Sequence, residues 1–190
     1  IGLLELARLL EHEELRYRID LVAYSLEEPP FFGTEDMGSY GHAKYLFDHS
    51  IPVYGMICMD MIGFFSDVKG SQKYPIGILK LFYGSKGNYL TVVQKFRGGN
   101  FARRTKKEMK KTNFVKIKSI KAPQNLAGID LSDHLNYWRF GFSAVFITDT
   151  GFFRNVNYHK SSDTVESIDI QRMTASIDAL FKTLKQLNRD

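Results

Sequence analysis

Three apolar runs of strand length occur in this chain, and chemically reactive side chains follow each of them. The runs are residues 19–26, 53–59 and 144–147. The side chains that follow them are Glu27, Glu28, Asp60, Tyr158 and His159. Because ligand sites in open α/β sheets lie outside the carboxyl ends of the strands, we expect these side chains to gather at one edge of a sheet. Carboxylates and a histidine at such an edge predict a metal site with hydrolytic chemistry.

Segments with helical periodicity alternate with segments typical of strands. Helices are predicted over residues 3–15, 39–49, 101–111, 135–140 and from about residue 168 to the end. Strands are predicted over residues 18–26, 52–59, 89–93, 114–120 and 143–148, with 114–120 at an edge of the sheet. The core-facing stripe of the last helix comprises Ile170, Met173, Ile177, Leu180, Leu184 and Leu187.

This alternation predicts an α/β fold, a three-layer αβα sandwich around a mostly parallel mixed central sheet. Its 190 residues are enough for one domain with a hydrophobic core. We therefore expect residues 1–190 to form a single domain. Because the first residues already read as the body of an amphipathic helix, we expect the chain to be truncated at its N-terminus.

Composition and charge exclude several other classes of protein. The chain is 44% hydrophobic and 25% charged, as soluble globular proteins are, and no apolar run approaches the ~20 residues that span a bilayer. Cys58 is the only cysteine, which excludes internal disulfides and thiolate metal clusters. The net charge of +5 arises in residues 103–111, which hold six basic residues and one acidic residue. One short basic block predicts a solvated helix face and no nucleic-acid partner.

The order of the motifs narrows the interpretation further. A helix with the sequence LLELAR precedes the pair Glu27-Glu28, and a later strand ends in DMIG, which begins at Asp60. The segments SDH, at residues 132–134, and YHKSSDT, at residues 158–164, follow before the last helix. In this order the chain resembles, over essentially its whole length, the co-catalytic zinc exopeptidases. That family includes bacterial leucyl-type aminopeptidases, glutamate carboxypeptidase II, glutaminyl cyclase and the non-catalytic transferrin receptor.

The resemblance implies a role for each of the reactive side chains. Glu27 would be the general base that takes a proton from a metal-bound water. Glu28 and His159 would bind one zinc ion, and Asp60 would bind a second. Tyr158 would donate a hydrogen bond to the oxyanion. The resemblance thus implies a zinc-dependent aminopeptidase that removes N-terminal residues from peptides.

Two further expectations concern the shape of the site. Asp133 matches a segment that lines the substrate site in this family, and it is therefore the predicted substrate-binding residue. Adjacent residues of an extended strand point to opposite sides, so the backbone must turn for Glu27 and Glu28 to face one site. The pair Pro29-Pro30, which cannot continue a strand regularly, is consistent with such a turn.

The chain also departs from the family pattern. A His-x-Asp segment and a bridging aspartate precede the LLELAR helix in the family, and neither occurs here. We therefore expect two zinc ions in the full-length protein, with weak or absent zinc binding and no activity in this chain alone. The alternatives are a glutaminyl cyclase-type acyltransferase, against which Tyr158 argues, and a non-catalytic binding domain on the same fold. The expected partner is a peptide substrate, and the resemblance favours an extracytoplasmic location.

Overall fold

The computed structural model describes residues 1–123, 126 and 128–189. Its strands are β1 (Met56–Met59), β2 (Leu90–Lys95), β3 (Ile117–Ala122) and β4 (Ala144–Thr148). They form one sheet in the order β1-β4-β2-β3. Strands β1 and β4 run parallel, as do β2 and β3, whereas β2 and β4 run antiparallel. The carboxyl ends of the two parallel pairs therefore lie at opposite edges of the sheet.

Helices cover both faces of this sheet. They are α1 (Gly2–Leu10), α2 (Gly38–Asp48), α3 (Leu79–Tyr83), α4 (Gly99–Thr112), α5 (His134–Arg139) and α6 (Ile170–Arg189). Helices α1, α4 and α6 pack on the face that carries Val92 and Val145. Helices α2 and α5 pack on the opposite face, which carries Val93 and Phe146. Alternate residues of one strand thus enter different cores, and the predicted three-layer α/β fold is confirmed.

The strand predicted over residues 18–26 was wrong. This segment forms no ladder with any described residue, and Leu21 and Val22 are 36% and 37% exposed. Helix α1 is also shorter than predicted, since it ends at Leu10 and not near residue 15. Residues 11–14 are all polar, so they offer no apolar surface to extend the packing of α1 against α6. An apolar run becomes a strand only where a neighbouring strand can pair with it.

The remaining elements lie close to their predicted positions. Strand β3 is at an edge of the sheet, as predicted, and the stripe of α6 is buried at Ile177, Leu180 and Leu187. Ile170 was wrongly included in this stripe, because it begins the helix and is 62% exposed. Helix α3 was not predicted. Among the described residues, no helix is both long enough and apolar enough to cross a bilayer.

Candidate metal centre

The backbone turns sharply just before the paired glutamates. Leu26, directly before Glu27, has a left-handed conformation with φ of 58°. As a result, Glu27 and Glu28 line the same cavity, although they are adjacent in sequence. The expectation that the chain must turn here for both carboxylates to face one site agrees with this geometry.

Glu28 and His159 come into direct contact in this cavity. Glu28 Oε1 lies 3.2 Å from His159 Nε2, although 131 positions separate the two residues in sequence. The His159 ring stacks on the ring of Tyr158, with 3.9 Å between their centroids. Two ligands of a tetrahedral zinc ion with bonds of ~2.0–2.1 Å lie roughly 3.3 Å apart. The spacing of the Glu28 and His159 atoms therefore suits two ligands of one zinc ion.

Asp60 follows β1 and lies within the electrostatic reach of this pair. Burial raises the pKa of Asp60, and the nearby Glu28 carboxylate raises it further. A hydrogen bond from Ser132 and the proximity of His159 act in the opposite direction. Ser132 also contacts Cys58, with 3.3 Å between the hydroxyl oxygen and the sulfur. The buried Ser132 hydroxyl thus lies close to both Cys58 and the predicted second ligand.

Glu27 and Tyr158 belong to the same cluster of interacting charges. Burial raises the pKa of Glu27 to about 7, and the Asp60 and Glu28 carboxylates add to this effect. Burial also raises the pKa of Tyr158 to about 12, again with contributions from these carboxylates. The carboxyl groups therefore destabilise one another's ionised forms. Such clustering is typical of sites in which a bound cation compensates the negative charge.

Asp133 lies beside this cluster but not on the wall of the cavity. Burial raises the pKa of Asp133, the Asp60 carboxylate adds to this effect, and a hydrogen bond from Ser39 opposes it. Its Oδ1 atom is buried without a hydrogen-bond partner among the described residues. Asp133 is not one of the residues that line the cavity, so its predicted contact with substrate remains a prediction.

The donor set fits zinc in kind but not in number. Carboxylate oxygens and an imidazole nitrogen are suitable zinc ligands, and Glu28 and His159 have a suitable spacing. Within residues 1–123, 126 and 128–189, however, no group of three or more His, Cys, Asp or Glu side chains is arranged to hold a metal ion. A stable zinc site needs at least three protein ligands. The described residues thus offer ligands of a kind that suits zinc, but by themselves too few for a stable site.

The cavity beside these residues has a volume of about 360 Å³. Glu27, Glu28 and His159 form part of its polar lining. Its apolar walls include Met61, Ile76, Phe146 and Phe152, which come from four separate segments of the chain. A mostly apolar cavity with a few converging polar groups is the usual form of a small-molecule or substrate site.

Sequence reasoning missed Asp149, which holds two loops together behind the centre. Its carboxylate accepts hydrogen bonds from the amides of Gly63, Phe64 and Gly151, at 3.1, 2.8 and 3.0 Å. The first two amides follow Asp60, and the third lies in the loop that leads to His159. An aspartate two residues after the third apolar run was the available signal. Ser132 was also missed as a neighbour of Asp60, although the SDH segment was noticed.

A protein-family model and a curated protein both match this sequence over most of its length. The family model described as peptidase family M28 matches residues 1–184. The uncharacterized protein YfbL of Escherichia coli (strain K12) is 39% identical to this chain over 183 residues, which cover 96% of the chain. The same match covers 56% of YfbL. The chain thus spans little more than half the length of this curated relative.

Solved structures share the fold of this chain at low sequence identity. The Legionella pneumophila LapA aminopeptidase superimposes with a TM-score of 0.73 at 18% identity, over 100% of this chain and 44% of LapA. The zinc aminopeptidase BSAP from Bacillus subtilis has a TM-score of 0.68 at 20% identity, over 100% of this chain and 40% of BSAP. An aminopeptidase from Aneurinibacillus sp. strain AM-1 has a TM-score of 0.69 at 18% identity, over 97% of this chain and 37% of that enzyme.

Proposed function

The chain belongs to peptidase family M28, and on that premise we propose that its full-length protein removes residues from the amino terminus of peptides with zinc as cofactor. The observation that carries this proposal is the 3.2 Å approach of Glu28 and His159 in the cavity that Glu27 also lines. The solved structures with this fold include aminopeptidases, one of which is described as a zinc enzyme, and they support the same conclusion.

Three residues of this chain would hold the cofactor. Glu28 and His159 would bind one zinc ion, and Asp60 would bind the other. Bound zinc would supply Lewis-acid polarisation of the scissile carbonyl and lower the pKa of a water molecule. Because too few ligands come together among the described residues, we propose that other parts of the full-length protein supply the rest. This chain alone would then bind zinc weakly and be inactive.

Glu27 would transfer the proton during hydrolysis. It lines the cavity directly beside Glu28, so its carboxylate can accept a proton from the attacking water and pass it to the leaving amine. Tyr158 also lines the cavity, and its raised pKa of about 12 keeps the phenol protonated at neutral pH. A protonated phenol can donate a hydrogen bond to the oxyanion that develops on the substrate carbonyl.

Substitution of Glu27 provides the central test. The full-length protein should hydrolyse aminoacyl chromogenic amides, lose this activity to a chelator and regain it with Zn²⁺. Glu27→Gln should retain zinc but lose roughly 10²–10⁴-fold in kcat, because the general base is removed while the ligands remain. Glu14→Gln removes the same charge from an exposed position and should leave both properties unchanged.

The same assay separates the alternatives. Full activity of Glu27→Gln would show that Glu27 is not the base. Conversion of an N-terminal glutaminyl peptide to its cyclic form, with no hydrolysis of other peptides, would instead indicate cyclase chemistry. Zinc-loaded protein that turns over neither kind of substrate would indicate a non-catalytic domain.

A further inference from the structure

A second cavity lies at the opposite edge of the sheet from the candidate metal centre. Its volume is about 200 Å³, and it opens where β2 and β3 end, beside the start of α4. Its lining includes Gln94, Arg97, Gly98, Gly99, Arg103 and Lys121. Because β2 and β4 are antiparallel, this edge carries the carboxyl ends of β2 and β3 and not those of β1 and β4. The two cavities share no lining residue.

The charges around this second cavity are all of one sign. Arg97, Arg103 and Lys121 line it, and none of the described residues in its lining is acidic. None of these three side chains forms an ion pair or a hydrogen bond with the described part of the protein. On the same helix, by contrast, Lys111 is paired with Glu108. Three unpaired cations around one hollow repel each other unless an anion lies between them.

The backbone at the start of α4 adds donors to the same hollow. The 14-residue helix begins at Gly99 and has no side-chain cap, so its first-turn N–H groups remain available. Gly98 has φ of −62° and ψ of 2°, and Gly99 has φ of 83°. The Gly98 N–H group already donates to the Lys95 carbonyl oxygen at 3.2 Å, so the donors left for an anion are the N–H groups that follow it. The positive end of the helix dipole favours negative charge at the same place.

We propose that this cavity binds a phosphate group, either as inorganic phosphate or as part of a small phosphomonoester. The two guanidinium groups can each donate paired hydrogen bonds to phosphate oxygens, and Lys121 adds a third positive charge. The N–H groups of α4 point to the same anion. This proposal is independent of the metal centre and of the proposed peptidase activity.

Titration of the ¹⁵N-labelled chain with inorganic phosphate tests the proposal. The amide resonances of Gly99 and Asn100 should shift with a saturable binding curve. The double variant Arg103→Gln/Lys121→Gln should weaken phosphate binding by about tenfold or more, because it removes two charge-assisted contacts. The control Lys107→Gln/Lys110→Gln removes the same charge from exposed positions of α4 and should change the affinity less than about twofold.

Two further titrations identify the ligand and the outcomes that would overturn the proposal. Tighter binding of glycerol phosphate than of phosphate indicates a phosphomonoester site, and weaker binding indicates a site for the free ion.

Equal weakening of phosphate binding in both double variants, with shifts spread along α4, would mean a diffuse basic surface. Tight binding of a single-stranded DNA 20-mer without any phosphate-induced shift at Gly99 would indicate a nucleic-acid surface instead. Since all the variants change exposed side chains, unchanged thermal unfolding midpoints serve as the folding control.

Discussion

His134 is a buried histidine whose ring is enclosed by aromatic side chains. It stacks on Phe146 with 4.7 Å between the ring centroids and meets Trp138 edge-on at 4.5 Å. Its Nε2 atom lies 2.8 Å from the carbonyl oxygen of Ile129, so this nitrogen carries the proton of the neutral ring. Burial lowers the pKa of His134 to about 4. A histidine beside the candidate site therefore acts as part of the core and stays neutral.

The pKa of His134 predicts a loss of stability in mild acid. Between pH 6.5 and about pH 4, His134 binds a proton in the unfolded chain but stays neutral in the folded chain. The free energy of unfolding thus decreases as the pH falls through this window. The decrease is about 1.4 kcal/mol per pH unit and about 3 kcal/mol in total. Urea unfolding at pH 7 and 4.5 should show a smaller loss for His134→Gln than for the unchanged chain. His12→Gln, at an exposed position, should behave like the unchanged chain, and equal losses in all three would contradict the prediction.

At the scale of elements, the loops after β1 and β4 are joined by one carboxylate. Asp149 is almost completely buried and accepts amide hydrogen bonds from both loops. The loop after β1 begins at Asp60, and the loop after β4 leads to His159. The relative position of two predicted zinc ligands therefore depends on a residue that is not itself a predicted ligand.

Asp149→Asn should destabilise the protein. The amide group that replaces one carboxylate oxygen is a donor, so at least one buried N–H group loses its acceptor and faces another donor. The expected cost is about 1–3 kcal/mol in the free energy of unfolding. Urea unfolding measures this, with the exposed Asp36→Asn as the control. Equal stability of the two variants would mean that the two loops are held by other contacts.

Helix α4 packs closely against the residue before β1. A Cβ atom on Gly55 would lie 2.1 Å from the Phe101 ring. Gly55→Ala should therefore destabilise the fold by about 1–3 kcal/mol through overpacking. The double variant Gly55→Ala/Phe101→Leu should cost less than the sum of the single variants, because the smaller side chain relieves the clash. The control is Gly41→Ala in α2, where no atom lies within 4 Å of the new Cβ, so the change should be neutral or stabilising. Additive losses of stability for the changes at residues 55 and 101 would refute the steric explanation.

At the scale of the whole molecule, the antiparallel contact between β2 and β4 decides where the two candidate sites lie. It sends the carboxyl ends of β1 and β4 to one edge of the sheet, where the predicted zinc ligands gather. It sends the carboxyl ends of β2 and β3 to the other edge, where the basic cavity opens. One topological feature therefore keeps a cluster of carboxylates and a cluster of cations apart.

Zinc titration by calorimetry should find no tight site in this chain. Among the predicted ligands in the described part of the chain, Glu28 and His159 are the two in contact, and a stable site needs at least three protein ligands. The core contains no residue of this site, so the far-ultraviolet circular dichroism should show a folded chain with or without zinc. Any weak heat of binding should disappear in Glu28→Gln. Two tight sites in the unchanged chain would refute the view that its ligand set is incomplete.

The sequence by itself determined most helices, most strands and the residues that follow the strands. These depend on local periodicity, which records which side chains must be buried. Glu27, Glu28, Asp60, Tyr158 and His159 could be singled out because each follows an apolar run, and the resemblance to the zinc exopeptidases rests on their order. Periodicity does not record which partner an apolar segment will have, and for this reason the strand expected over residues 18–26 was wrong.

Only the tertiary structure decided the contacts between distant parts of the chain. Glu28 meets His159 across 131 positions, and Asp149 binds amides that lie 85 and 86 positions away. The pKa of His134 depends on burial, to which the Phe146 ring of strand β4 contributes. The basic cavity likewise combines Arg97, Arg103 and Lys121 from two strand ends and a helix. Burial and electrostatic interactions depend on distance in space, and the linear order of residues does not contain that distance.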